Sequence, residues 1–138
     1  MALLFDDMEN AFLFDSMDQK FMHNAYLCKD SGQFFYTSEL GDSDELPEDI
    51  DDTEKYISIP HKHDLELGRA LVFDFTSEYI PEELDRIYAY FRSRGAYSRF
   101  KDFLNVKGLF DKWYTFEGER IRAALEVWCQ ENGIEIKG

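Results

Sequence analysis

Apolar residues recur along this chain with two different periods. Leu4, Met8, Ala11 and Phe12 fall at spacings of three and four, with Asp6, Asp7, Glu9 and Asn10 between them, which predicts an amphipathic helix over residues 3–14. Its acidic first turn complements the helix dipole. Ala25-Tyr26-Leu27-Cys28-Lys29 and Gln33-Phe34-Phe35-Tyr36-Thr37 are aromatic-rich runs separated by Asp30-Ser31-Gly32. Asp30 can bond its own backbone and Gly32 can take a positive φ, so these residues predict a short loop between antiparallel strands. Tyr56-Ile57-Ser58-Ile59-Pro60 alternates and ends on a proline, which predicts a third strand at a sheet edge.

Beyond residue 60 the period turns helical. Asp64 is placed to cap a helix running to Tyr79, with Leu67, Leu71 and Phe75 on one face. Pro81-Glu82-Glu83 puts proline at a first helical position and carboxylates in a first turn, and Leu84, Ile87, Tyr88 and Phe91 follow as a stripe. Gly95 suits the left-handed stop position. A short helix is expected over 97–106, burying Phe100, Phe103 and Leu104. Gly108 interrupts, and Leu109, Phe110, Trp113 and Phe116 form the next apolar set. A final helix over 117–132 carries Ile121, Leu125 and Trp128 before Gly133. Strands precede helices instead of alternating with them. The expected fold class is therefore α+β, a small antiparallel sheet (a hairpin plus one strand) packed against a cluster of about five helices.

The 138 residues suit a single domain over 1–138, and 44% hydrophobic with 17% aromatic residues is ample for a core. Charge adds a division that hydropathy does not show. Of the net −14, residues 1–54 hold 15 acidic and 2 basic groups, while residues 55–138 hold 14 acidic and 13 basic. Nine acidic side chains and no basic one crowd residues 39–54, which predicts a solvated, mobile acidic loop inside the domain. Asp42 and Asp44 match the first two ligands of an EF-hand loop, but Pro47 and Thr53 replace its glycine and its bidentate glutamate. No run approaches the roughly 20 apolar residues of a membrane span. The opening Met1-Ala-Leu-Leu-Phe-Asp-Asp lacks a basic n-region, and two isolated cysteines suit a reducing compartment, so a cytoplasmic location is expected.

Several of these runs, taken in order, resemble an uncharacterised bacterial protein family of the UPF series. They are Tyr26-Leu27-Cys28-Lys29-Asp30-Ser31-Gly32, then Tyr56 to Pro60, then Arg94-Gly95-Ala96-Tyr97-Ser98-Arg99-Phe100-Lys101-Asp102. Gly108-Leu109, Trp113-Tyr114-x-Phe116, and Trp128 ahead of Gly133-Ile134 complete the set. Cys28 and Ser98 depart from the family's usual acidic and basic residues. The resemblance implies a single domain and supplies no chemistry.

The strongest functional candidate is a basic-aromatic stretch. Residues 86–112 carry seven basic and two acidic side chains, a local +5. Arg86, Tyr90 and Arg94 are spaced by four and are expected on one helix face, with Arg99 and Lys101 just past Gly95. Guanidinium forks suit phosphate or carboxylate, and a tyrosine ring suits stacking. The competing reading is self-neutralisation by Glu82, Glu83, Asp85 and Asp102. The acidic loop can shield this patch, mimic a nucleic-acid backbone, or simply solubilise the chain. His61 and His63 form a weak metal pair, which Asp64 or Glu66 could join, with His23 and Cys28 as the nearby third ligands of good type. No phosphate-loop, dinucleotide or nucleophile-elbow signature occurs. Trp113 and Phe116 share a face expected in the core, and Tyr114 points elsewhere. These observations favour a non-enzymatic binding or regulatory protein whose partner is another protein. No cofactor and no membrane are expected. A nucleic-acid-binding regulator is the alternative, and a metal-dependent enzyme a further one.

Overall fold

In the computed structural model of the chain, which describes residues 2–17, 22–39, 41 and 43–137, secondary structure runs from β1 (Ala2–Leu4) and α1 (Phe5–Asp15) to β2 (His23–Cys28), β3 (Phe34–Ser38) and β4 (Tyr56–Ser58). Then come α2 (Arg69–Tyr79), a 3-10 turn at Pro81–Glu83, α3 (Leu84–Tyr90), α4 (Ala96–Lys107), α5 (Phe110–Glu131) and β5 (Glu135–Lys137). The architecture is mixed α+β, as the hydropathy pattern predicts. The elements gather into two units, Met1–Leu65 with Arg122–Gly138, and Glu66–Ile121.

In the first unit the sheet order is β3-β2-β4, all antiparallel, with Tyr26 opposite both Phe35 and Ser58. β2 is central and shows the period-2 pattern, with His23, Ala25 and Leu27 buried and Asn24 and Tyr26 half-buried. The hairpin closes where expected: Gly32 has φ +77, and its N–H donates to the Cys28 carbonyl at 2.8 Å. β4 takes the edge that its trailing proline requires. α1 lies on β2 and buries Phe5, Met8, Ala11 and Phe12. Asp15, buried at its end, accepts the Ala25 N–H at 3.2 Å. A parallel pair, β1 with β5, aligns Leu3 with Ile136. No periodicity predicts it, because each strand is three residues long.

The described part of the acidic segment is tied down. Asp44 accepts the Tyr36 N–H at 2.8 Å and donates its own N–H to the Tyr36 carbonyl at 2.8 Å, covering the outer edge of β3. Ser43 Oγ accepts the Ser38 N–H at 3.0 Å. Asp49 takes Lys55 Nζ and the Tyr56 hydroxyl, each at 3.1 Å. Short Asp and Ser side chains bond nearby backbone readily, and that competes with the like-charge extension expected from composition. Asp42 lies outside the described residues.

In the second unit, Leu71, Val72, Phe75, Ile87, Phe100 and Leu104 form the centre of one core with Trp113 and Phe116. Phe75 is its hub, fully buried, with ring centroids of Tyr79, Trp113 and Phe116 at 4.9, 5.3 and 5.3 Å. Gly108 takes a positive φ of 68 and stops α4 as predicted, whereas α3 already ends at Tyr90 and Gly95, at φ 77, stands at the start of α4 instead of at the end of α3.

Three local expectations change. Asp64 does not cap α2: its carboxylate accepts the His61 N–H at 3.0 Å, Glu66 sits at φ +56, and the helix begins only at Arg69. A left-handed residue cannot continue a helix. Pro81-Glu82-Glu83 forms the 3-10 turn, and α3 starts after it. The expected break between residues 116 and 117 is absent, and α5 runs unbroken for 22 residues. Its only interior weak point is Gly118, which costs about 1 kcal/mol and does not end a helix.

Candidate functional site

The basic-aromatic stretch spans α3 from Arg86, the turn after it, α4 and the first turn of α5. α3 carries Arg86 and Tyr90 but ends before Arg94. Phe91 N–H is shared between the Ile87 and Tyr88 carbonyls at 3.3 and 3.2 Å, and Arg92 and Ser93 then bond Ala89 and Tyr90 at 3.3 and 3.4 Å. This tightening to i→i+3 spacing unwinds the helix toward Gly95. Arg94 therefore stands in the turn, exposed, and off the face that a longer helix would give it.

Phe103, on α4, organises the rest. The Arg86 guanidinium lies 5.7 Å from its ring centroid, Lys107 Nζ 5.8 Å, and the Tyr90 ring 6.4 Å edge-on. Arg86 Nε also pairs with Glu83 at 3.1 Å. Tyr90 is half-buried against the core. Arg99 donates to the Ser93 hydroxyl across the Gly95 turn. The structure thus brings Arg86 and Tyr90 together, adds Lys107, and leaves Arg94 and Lys101 as separate exposed cations.

Self-neutralisation is slight. Among the described residues, Arg86 is the only one of the seven basic side chains in 86–112 with a carboxylate partner. Among the described residues Arg92, Arg94, Arg99, Lys101, Lys107 and Lys112 have none, and Glu82, Asp85 and Asp102 pair with none of the seven.

Sequence spacing missed a neighbouring feature. Arg69 opens α2, 23 residues before Arg92, yet both line one open groove of about 480 Å³ with Phe73, Asp85, Tyr88 and Phe91. The signal lies in the packing of α2 on α3, which spacing alone does not give. Trp113 and Phe116 are buried in the core and Tyr114 is exposed, as expected from their spacing.

The histidine pair has local work. His61 is buried, its Nδ1 accepts the His63 N–H at 3.1 Å, and the two rings meet edge-on at 4.7 Å. That occupies a lone pair a metal would need. Among the described residues no group of three His, Cys, Asp or Glu side chains converges to hold a metal ion. Both cysteines are buried. A hydrogen bond from the Ser31 hydroxyl holds the Cys28 thiol below its ordinary value, whereas burial pushes Cys129 up to about 11. No helix among the described residues is long and apolar enough to cross a membrane.

No curated protein and no solved structure matches the chain. One family profile does match, over residues 3–137: Uncharacterised protein family (UPF0158). This agrees with the resemblance read from the hairpin, the Arg94–Asp102 run and the tryptophan motifs.

Proposed function

We propose that this chain, which belongs to the Uncharacterised protein family (UPF0158), is a binding protein that engages an acidic segment of a partner protein through the surface of residues 86–112. The observation that supports this reading is that six of its seven basic side chains have no carboxylate partner among the described residues. A surface cation that already has a carboxylate gains little from a second one, whereas an unpaired guanidinium or ammonium can form new charge-assisted bonds. Arg86 and Tyr90, anchored on Phe103, form a rigid floor. Arg94, Arg99 and Lys101 supply the contacts. A local acidic segment suits the patch better than a long nucleic-acid polyanion, which would also meet the −14 field of the whole protein.

Retention of the chain on immobilised polyglutamate and on single-stranded DNA tests this. The wild type is expected to bind polyglutamate and to elute with salt, and Arg94→Glu with Lys101→Glu is expected to abolish retention. Retention on DNA alone would favour the nucleic-acid reading instead, and retention on neither would end both.

A further inference from the structure

We infer that the groove between α2 and α3 is a binding site for a nucleoside phosphate. It uses Arg92 but not Arg94, Arg99 or Lys101, so it does not depend on the acidic-partner reading.

The groove combines three kinds of group. Two arginines, Arg69 and Arg92, line it, and neither has a carboxylate partner among the described residues. Asp85 is the one carboxylate of the lining, and it pairs with neither of them. Two cations beside one anion make the groove locally positive in a strongly acidic protein. The third component is aromatic. Phe73 lies 4.4 Å from Tyr88 and 5.4 Å edge-on from Phe91, and the Arg69 guanidinium sits 5.8 Å from the Phe91 centroid. Phe91 is buried, which fixes the floor, while Tyr88 remains 41% exposed above it. A large ring that is buttressed on its inner side and wet on its outer side is a stacking platform.

Each component matches one part of the ligand. Guanidinium forks take phosphate oxygens bidentately. The Tyr88 ring stacks on a base, which has a π-face whatever its identity. Asp85 only accepts hydrogen bonds, so it suits ribose hydroxyls or a base amine. Inorganic phosphate would leave Tyr88 and Asp85 unused. The volume of about 480 Å³ falls within the range of small-ligand sites. Another open groove of this unit differs in kind. Tyr79, Asp111, Lys112 and Glu119 are among its lining residues, with no arginine and two carboxylates against one cation.

Calorimetry on the full chain, titrated with adenosine and guanosine mono- and triphosphates, inorganic phosphate and free nucleosides, tests the inference. At least one nucleoside phosphate is expected to bind, with inorganic phosphate and nucleoside each about tenfold weaker or worse, a difference of about 1.4 kcal/mol. Arg92→Ala and Tyr88→Ala should each weaken binding about tenfold. Arg92→Lys, which keeps the charge on an exposed side chain and removes the fork, should weaken it in a protein whose melting curve is unchanged. Arg94→Glu with Lys101→Glu should leave it intact. Three results would overturn the site: no binding of any nucleoside phosphate, equal binding of inorganic phosphate, or binding indifferent to both Arg92 variants. If nucleotide binding fails while polyglutamate retention persists, the groove falls and the acidic-partner reading stands. The reverse pattern leaves the groove standing alone.

Discussion

Replacing Phe103 by leucine separates the role of its ring from the role of its volume. Phe103 is only 6% exposed, and it carries the Arg86 and Lys107 cations at 5.7 and 5.8 Å and the Tyr90 ring at 6.4 Å. A leucine side chain still fills much of the site but offers no π-face. Each cation–π contact near the surface is worth about 0.5–1 kcal/mol, so the pair accounts for about 1–2. The Tyr90 contact lies toward the long end of the aromatic range and adds about 0.5 kcal/mol. Imperfect repacking of a changed shape adds up to about 1.5 kcal/mol. Neighbouring contributions overlap, so the expected loss is about 2–3 kcal/mol. Phe103→Ala leaves a cavity as well and should cost about 3–5 kcal/mol. Urea unfolding followed through tryptophan fluorescence, with an unchanged m-value, measures both. A leucine variant within about 0.5 kcal/mol of wild type would show that the ring organises nothing. A leucine variant as damaged as the alanine one would show that the volume leucine retains contributes nothing.

Two further outcomes follow from the ionisation of particular groups. Cys129, pushed up to about 11, is ionised in only about one molecule in a thousand at pH 8, whereas the Ser31 hydroxyl favours the Cys28 thiolate. Iodoacetamide labelling read by peptide mass spectrometry should therefore modify Cys28 first, with the gap closing as pH approaches 11. Equal rates at pH 8 would refute the difference. Asp49 is held below its ordinary 3.8 by its hydrogen bond to Lys55, and also by the Tyr56 hydroxyl. A depressed carboxyl contributes stability that is present above 3.8 and is lost as pH falls through the lower folded value. Asp49→Asn should melt lower than wild type at neutral pH, and the two curves should converge in acid. A gap that does not narrow as pH falls below 3.8 would contradict this.

Much of the backbone was legible in the sequence because its signals are local. The stripes Leu71/Phe75 and Phe100/Phe103/Leu104 report helices within a few turns. Gly32, Gly95 and Gly108 mark reversals because a glycine adopts a positive φ without steric cost. The hairpin, the edge strand, the mixed α+β class and the family likeness all rest on such short-range information. The basic stretch was visible as composition.

Its use was not. That Arg94 leaves the face of Arg86 depends on where α3 unwinds, and that depends on Phe91 turning into a core built from four helices. The meeting of Arg69 with Arg92 depends on how α2 packs on α3. The joining of β1 to β5 needs two three-residue segments from opposite ends of the chain. Charge pairing is decided the same way. Glu83 reaches Arg86 while Asp85 and Asp102 reach no cation among the described residues, and nothing in their spacing distinguishes them. Residue type and period determined what each segment could become and which faces were apolar. Only the three-dimensional packing decided which charges were satisfied and which remained open, because an ion pair needs two side chains to meet within a few ångströms and linear order does not set that distance.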